Sequence, residues 1–410
     1  MANNLYFSRD TKLYAVFDGV AWELPILDGF GFSQANNSSE ITLAEMESTV
    51  GVSRRGRRLF NDSLAPAEFN FSTYVRPFAS AGGGDYQSNF IHAVEELLWA
   101  QMAGADTYDA ANDKFTSSKF TGDVTVSDAT DLNIDYSQSN RSVLATMDLF
   151  FVMETNPAEP VVYKLEGAVV NEATIDFDVD GIATVSWSGF AKQVIDWTAN
   201  TTVGATFVST GVGNVFLESD NDNAFYLDDG ASGVQAIDEG VSDAEFIRNR
   251  LTQLEITAQD SATFPGSGGG VYSMTLTGGS ITVTNNINYL TPEEIGKVNI
   301  PLENVTGARS VSGSFTCYIN YIDAGNAGSS TDFFNAFQSQ AALDIVTNQF
   351  TMAFKIGGAT GPRLEVAMPE AHVEIPVTSI EDVISLETSF HGLPSTISDT
   401  DEVNLTYFAS

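Results

Sequence analysis

Any chemistry in this sequence would have to start from three histidines, one cysteine, two glycine-rich turns and a few aspartate-rich stretches. His92 falls in a helical pattern and His372 on the polar side of an alternating strand. Neither they nor His391 have the spacing of a zinc site. No G-x-S-x-G nucleophile elbow occurs. Gly266 to Gly270 (GSGGG) leads into a strand and is followed by no Walker lysine. Gly82 to Asp85 precedes a helical pattern but also lacks the lysine a phosphate cradle needs. Cys317 lies on the apolar side of its strand, which suits an inert core thiol. Asp176, Asp178 and Asp180 alternate along one strand, about 6.5–7 Å apart, and so make a negative stripe and not a cation cage. Asp220 to Asn223 with Asp228 and Asp229 is the better calcium candidate. It lacks the glycine and terminal glutamate of an EF-hand, which favours a solvated loop. No cofactor motif and no metal motif emerges, and no catalytic set.

The sharpest local signal is basic. Arg54, Arg55, Arg57 and Arg58 account for four of 18 basic residues, against 54 acidic ones and a net charge of −36. Such a cluster suits a solvated loop, a contact to acidic surface on a neighbouring subunit, or nucleic acid. The acidic background argues against the last.

The elements that carry these residues are mostly strands. Glu172, Thr174, Asp176, Asp178 and Asp180 alternate with Ala173, Ile175, Phe177 and Val179, and Ala183, Val185 and Trp187 alternate with Thr184, Ser186 and Ser188. Period two of this kind makes an antiparallel sheet with one wet face. It recurs over residues 67–78, where Phe69, Phe71 and Val75 share one side, and over 310–321, where Val311, Phe315, Cys317 and Ile319 do. Helical stripes predict helices over residues 88–102 and from an N-cap at Thr331 through Ile345. Residues 5–25 read as a hairpin turning at Asp18-Gly19, and 242–250 as a short helix.

The order strands, long loop, strand, helix, strands occurs twice. This predicts a mainly β chain with short helices (α+β), written as a tandem duplication with one flanking helix per copy. The expected division is 1–198 for the first copy, 199–240 for a Gly-, Asn- and Asp-rich linker, and 241–410 for the second. At 410 residues each copy is long enough for its own core. The expected core is Phe71, Val94, Leu98, Phe177 and Trp187 in the first copy, and Phe315, Phe337 and Ile375 in the second. Glu172, Asp176, Asp178 and Glu374 are expected on the wet face. No run of about 18 apolar residues is present for a membrane-spanning helix, and the opening MANNLYFSRD lacks the basic and apolar regions of a signal peptide.

Three stretches resemble the tail tube proteins of tequintavirus-type long-tailed (siphovirus) bacteriophages: RRLFNDSLAPAEFNFSTYVRP, ATVSWSGF, and LTGGSITVTNNINYLTPEEIGKVNIPLENVTGARSVSGSFTCYIN. The similarity runs from about Asp28 to Pro394 and is weakest in the middle. The resemblance implies two copies of the tail-tube fold per chain, each a β-sandwich or half-barrel with its helix. It implies homotrimer rings of six equivalent copies, stacked head-to-tail. Four lumen strands per copy, at about 4.8 Å spacing and about 40° tilt, imply a barrel backbone about 48 Å across and a channel about 38 Å wide. Double-stranded DNA would pass through it without specific binding. The implied partners are further copies of the chain, other tail proteins at the tube ends and a tape-measure protein in the lumen, with no membrane. The implied location is the virion tail, reached from the bacterial host cytoplasm during assembly.

On that reading Glu172, Asp176, Asp178 and Glu374 face the channel, and Arg54, Arg55, Arg57 and Arg58 contact an adjacent subunit or ring. Two other classes make different demands on the sequence. A carbohydrate-binding or adhesive β-sandwich of a virion surface would need exposed aromatics clustered at loops, whereas most aromatics here fall on apolar faces. A hydrolase would need a nucleophile and base in one set.

Overall fold

The computed structural model describes residues 5–41, 58–81, 86–118, 122–136, 143–153, 155, 161–198, 206–208, 214–219, 225–228, 245–259, 270–291, 299–319, 329–341, 350–380 and 383–410. Among them the chain is a large antiparallel sheet with two short helices.

The first copy begins with the hairpin β1 (Thr11–Phe17) and β2 (Val20–Leu24), closed by Asp18 and Gly19 at φ 47° and 81°. Positive φ at both central residues is what a twisted two-residue hairpin needs. β3 (Gly31–Ser33) follows, then β4 (Asn36–Ile41), β5 (Arg58–Leu64) and β6 (Ala67–Tyr74), helix α1 (Glu96–Met102), β7 (Met147–Met153), β8 (Val161–Asp178) and β9 (Thr184–Ala191). The second copy has β10 (Gln253–Ala258), β11 (Val271–Thr284), β12 (Asn288–Leu290), β13 (Glu303–Val305) and β14 (Ser310–Tyr318). After these come α2 (Ser330–Ala341), β15 (Phe350–Ile356), β16 (Arg363–Val373), β17 (Val377–Ile380), β18 (Ile384–Leu393) and β19 (Asn404–Phe408).

Strand pairing repeats with the element order. In the first copy neighbours run β1, β7, β8, β9, β6, β3. In the second they run β10, β15, β16, β18, β14, β11. The hairpin arm β4–β5 has its counterpart in β12–β13. The duplication read from element order is therefore also present in hydrogen-bonded topology. The copies join through β8 and β11, Glu172 opposite Thr284 through Asp178 opposite Gly278, so one sheet runs through both.

The 18-residue β8 serves two sheets because it is bent. Its early residues pair with β7 and its later ones with β9 and β11. One extra residue, Asn171, bulges between Val170 and Glu172. A bulge bends the strand and sharpens its twist. Here it is pinned, since the Asn171 backbone oxygen accepts from Asn285 N at 2.8 Å and its side-chain oxygen from Ile287 N at 2.7 Å.

The main core is continuous across both copies, although the sequence suggested one for each. Phe71, Leu98, Phe177, Trp187, Phe315 and Phe337 are buried in it, and Val94 packs at its border. Trp187 meets Trp99 edge-on at 4.6 Å and donates its indole N–H to Thr73 Oγ1 at 2.9 Å.

Several expectations are corrected. Ile375 is 63% exposed. An extra residue at Ile375-Pro376 turns Pro376 inward and Ile375 out, and such a one-residue slip flips a side chain to the other face. The first helix spans Glu96–Met102, not residues 88–102, because Ile91–Ala93 pairs as a strand with Pro77–Ala79. His92 is thus on a strand. The second helix is capped at Ser329, not Thr331. Asp332 N donates to Ser329 Oγ at 3.2 Å, and Ser329 N to Asp332 Oδ2 at 2.9 Å, a reciprocal capping box. Residues 245–251 form only one turn of tight helix, Asn249–Leu251.

Candidate assembly and channel surface

The wet face of the joined sheet is built row by row. Ser72 Oγ lies 3.1 Å from Ser186 Oγ, Thr174 Oγ1 lies 3.0 Å from Thr282 Oγ1, and Thr284 donates to Glu172 Oε2 at 3.2 Å. Short hydroxyls therefore lie between the acids. Asp176 and Asp178 are exposed on β8, and Glu172 is half-buried beside them. Partial desolvation holds the Asp176 carboxyl above its ordinary range. Glu374 is exposed past the end of β16, with His391 Nε2 3.8 Å away. Glu68 on β6 and Glu387 on β18 point the same way. From Glu172 onward β8, together with β3, β6, β9, β11, β14 and β18, places no lysine or arginine among the described residues of that face; Lys164, earlier on β8, is buried in an ion pair with Asp148 at 2.8 Å. The four acids named from the sequence thus sit on one polar surface, with Glu374 at its far side, across β11, β14 and β18 from the others.

The opposite side of the sheet is the core. His92 is fully buried there, its Nδ1 2.8 Å from Glu96 Oε2 and its ring stacked on Tyr86 at 4.1 Å, which makes it a packing residue. Cys317 is buried too, and burial pushes its thiol up to about 11, as an inert core cysteine requires. Among the described residues no group of three His, Cys, Asp or Glu is placed to hold a metal ion. Most of the calcium candidate, Asp220 to Asn223 and Asp229, lies outside the described residues, as do Arg54, Arg55 and Arg57. Arg58 opens β5, its backbone opposite Ile41.

The two arms leave the same end of the sheet and touch. Leu64 N donates to Asn299 O at 2.8 Å, and Asn299 N to Asp62 O at 3.1 Å. They carry exposed apolar side chains: Leu59 and Phe60 on the first, and Leu290, Ile300 and Leu302 at the second. Leu59-Phe60, an apolar pair inside an otherwise polar RRLFNDS, is the sequence signal of this exposed surface, beside the charges of the same loop. Two sheet edges also stay open. β3 pairs with β6 alone and β17 with β18 alone, among the described residues.

No family model matches the chain. Among curated proteins, it is similar to the tail tube protein pb6 of Escherichia phage T5, 25% identical over 383 residues that span 93% of this chain and 69% of that protein. The resemblance carried by the motifs is thereby borne out over nearly the whole chain, and the β-rich fold is consistent with it.

Proposed function

We propose that the chain is a non-enzymatic structural subunit of a phage tail tube. Three chains form a ring of six sheet units, the rings stack head-to-tail, and the acidic face lines a hollow channel through which DNA moves. The observation that carries this reading is the duplicated sheet. Two copies with the same strand pairing are joined edge to edge into one sheet whose polar face carries Glu172, Asp176 and Asp178. Such a face suits passage, because like charge repels phosphate and leaves no site at which DNA would pause. A channel about 38 Å wide clears a duplex roughly 20 Å across. The units 1–198 and 241–410 are the two sheet copies on this proposal, with residues 199–240 between them. A described meander of Thr206–Val208, Asn214–Ser219 and Phe225–Asp228 belongs to that connection. Other tail proteins would close the tube ends, a tape-measure protein would occupy the lumen before DNA, and the assembled product would reside in the virion tail after assembly in the host cytoplasm.

Negative-stain microscopy of the purified chain tests this. Rings or hollow tubes are expected. A uniformly monomeric protein under every assembly condition, or solid fibres, would count against it. In a structure of the tube, Glu172, Asp176, Asp178 and Glu374 should border the water-filled channel.

A further inference from the structure

Lys164 is the one buried lysine among the described residues. It lies in the early half of β8, ahead of the bulge at Asn171. Leu149 and Phe151 of β7 and Leu165 of β8 face the main core, so Asp148, Phe150 and Val152 share the other side with Val162, Lys164 and Glu166. There a second apolar cluster forms, including Tyr14, Phe150, Val152 and Val162, with Trp197 packed against it.

The strand register steps at this point. Met147 opposes Ala168 and Leu149 opposes Leu165, so Asp148 faces both Glu166 and Gly167. Gly167 takes φ 63°, and its N–H donates to Asp148 Oδ1 at 3.0 Å. Lys164 Nζ stands 2.8 Å from Asp148 Oδ2 and 4.0 Å from Glu166 Oε1. Glu166 is held in turn by Gln193, whose Nε2 donates to Oε2 at 2.6 Å. The Phe150 and Trp197 rings lie 5.7 and 5.3 Å from the lysine nitrogen.

An enclosed amine, a carboxyl held by a backbone N–H, and a second carboxyl beside the amine are the parts of an amide-forming site. We infer that Lys164 and Asp148 condense into an intramolecular isopeptide bond, with Glu166 as the proton carrier. The inference is independent of the ring reading. A buried ion pair costs desolvation that an uncharged amine and acid avoid. Transfer of one proton from Nζ to the Asp148 carboxylate gives that uncharged pair. The Nζ lone pair then attacks Cγ of Asp148, and the charge developing on Oδ1 meets the Gly167 N–H, as in an oxyanion hole. The Glu166 carboxylate takes a proton from Nζ and returns it to Oδ2, which leaves as water. One ammonium and one carboxylate thus become one amide and one water, with no change of oxidation state. Contact between the two groups removes the cost of their encounter, and the apolar cover limits the return of water. The product is a covalent rung between β7 and β8, just ahead of the bend that leads to Glu172, Asp176 and Asp178.

Intact mass spectrometry of the purified, folded chain tests this. The expected mass is one water below that of the sequence. Trypsin should leave Lys164 uncut and release residues 142–192 as one peptide, also one water light, with fragmentation assigning the loss to Asp148 and Lys164. Lys164→Arg keeps the ion pair but removes the nucleophile, and should show the full mass with unchanged circular dichroism. Glu166→Gln should close slowly, read as a mixture of the two masses. The full mass in the unsubstituted chain, with cleavage after Lys164, would leave only an ion pair and overturn the inference. So would a water loss that persists in Lys164→Arg or maps to an aspartate–glycine step such as Asp180-Gly181. Closure of Glu166→Gln as fast as the unsubstituted chain would strike Glu166 from the proton path.

Discussion

Glu95 lies at the N-terminal end of α1 with its carboxyl enclosed. Tyr407 on β19 donates its hydroxyl to Oε1 at 2.9 Å while accepting the Trp99 indole N–H at 2.7 Å. Arg76 N approaches both carboxyl oxygens at 3.3 and 3.4 Å. Desolvation dominates these favourable contacts and the charge of Arg76, and raises the group from 4.5 to about 7. The folded state thus holds this proton more tightly than the unfolded chain does. The associated stability is fully present below about pH 4.5 and is lost as pH rises through about 7. Glu95→Gln should flatten that part of the pH–stability curve in chemical denaturation. An unchanged slope would show that Glu95 does not titrate there. Trp187, 1% exposed and hydrogen-bonded to Thr73, gives a second test. Trp187→Ala should cost about 3–5 kcal/mol, and a loss below about 1 kcal/mol would contradict the packing described.

At the scale of strands, the two copies solve one packing problem by opposite assignments. In the first, the Phe69 ring lies over Gly189, where a Cβ would sit 2.5 Å from it. In the second, the Phe390 ring lies over Gly313 at 2.6 Å. The seam adds a third such pair, Phe177 over Gly279. Each glycine is also pressed by a backbone carbonyl, Val169 O at 2.2 Å from a Cβ on Gly189 and Ser280 O at 2.2 Å from one on Gly313. Gly313→Ala should therefore cost about 1–3 kcal/mol even when Phe390→Leu removes the facing ring, read by denaturant titration. Full rescue by Phe390→Leu would show that the ring alone excludes a side chain there. Alternation made these strands readable in sequence, because Ala173, Ile175 and Phe177 point inward whatever their partners. The bulges were not readable. Asn171 and the Ile375-Pro376 step each insert one residue through tertiary contacts that no local pattern records, and the second reversed Ile375. The first helix was overestimated for a related reason. Ile91 and Ala93 fit a helical stripe equally well until Pro77–Ala79 captures their backbone. The acidic face was legible from period two alone, whereas the open edges became visible only once every other strand had found its neighbours.

At the scale of the molecule, exposed apolar surface gathers on the two arms. They bring Leu59, Phe60, Leu290, Ile300 and Leu302 to the surface, and the first arm follows the stretch that in sequence carries Arg54, Arg55, Arg57 and Arg58. The turn at the other end of β8 carries Asp178 and Asp180. Head-to-tail contact would bring opposite charges together, each exposed pair worth little but repeated around a ring. Replacing all four arginines with glutamate should leave circular dichroism unchanged and abolish tubes under microscopy. Normal tubes from that variant would make the loop a passive surface feature. The doubling of the sheet within one polypeptide has a further consequence, which concerns counting. A ring made from separate single sheets could close with five, six or seven. A ring made from fused pairs admits even numbers alone, so an error of one sheet is forbidden by covalent chemistry, and the least possible mistake is a whole chain. Half the joints also form at the effective concentration of a tether, before any encounter between molecules. They are therefore independent of how much protein the cell has made.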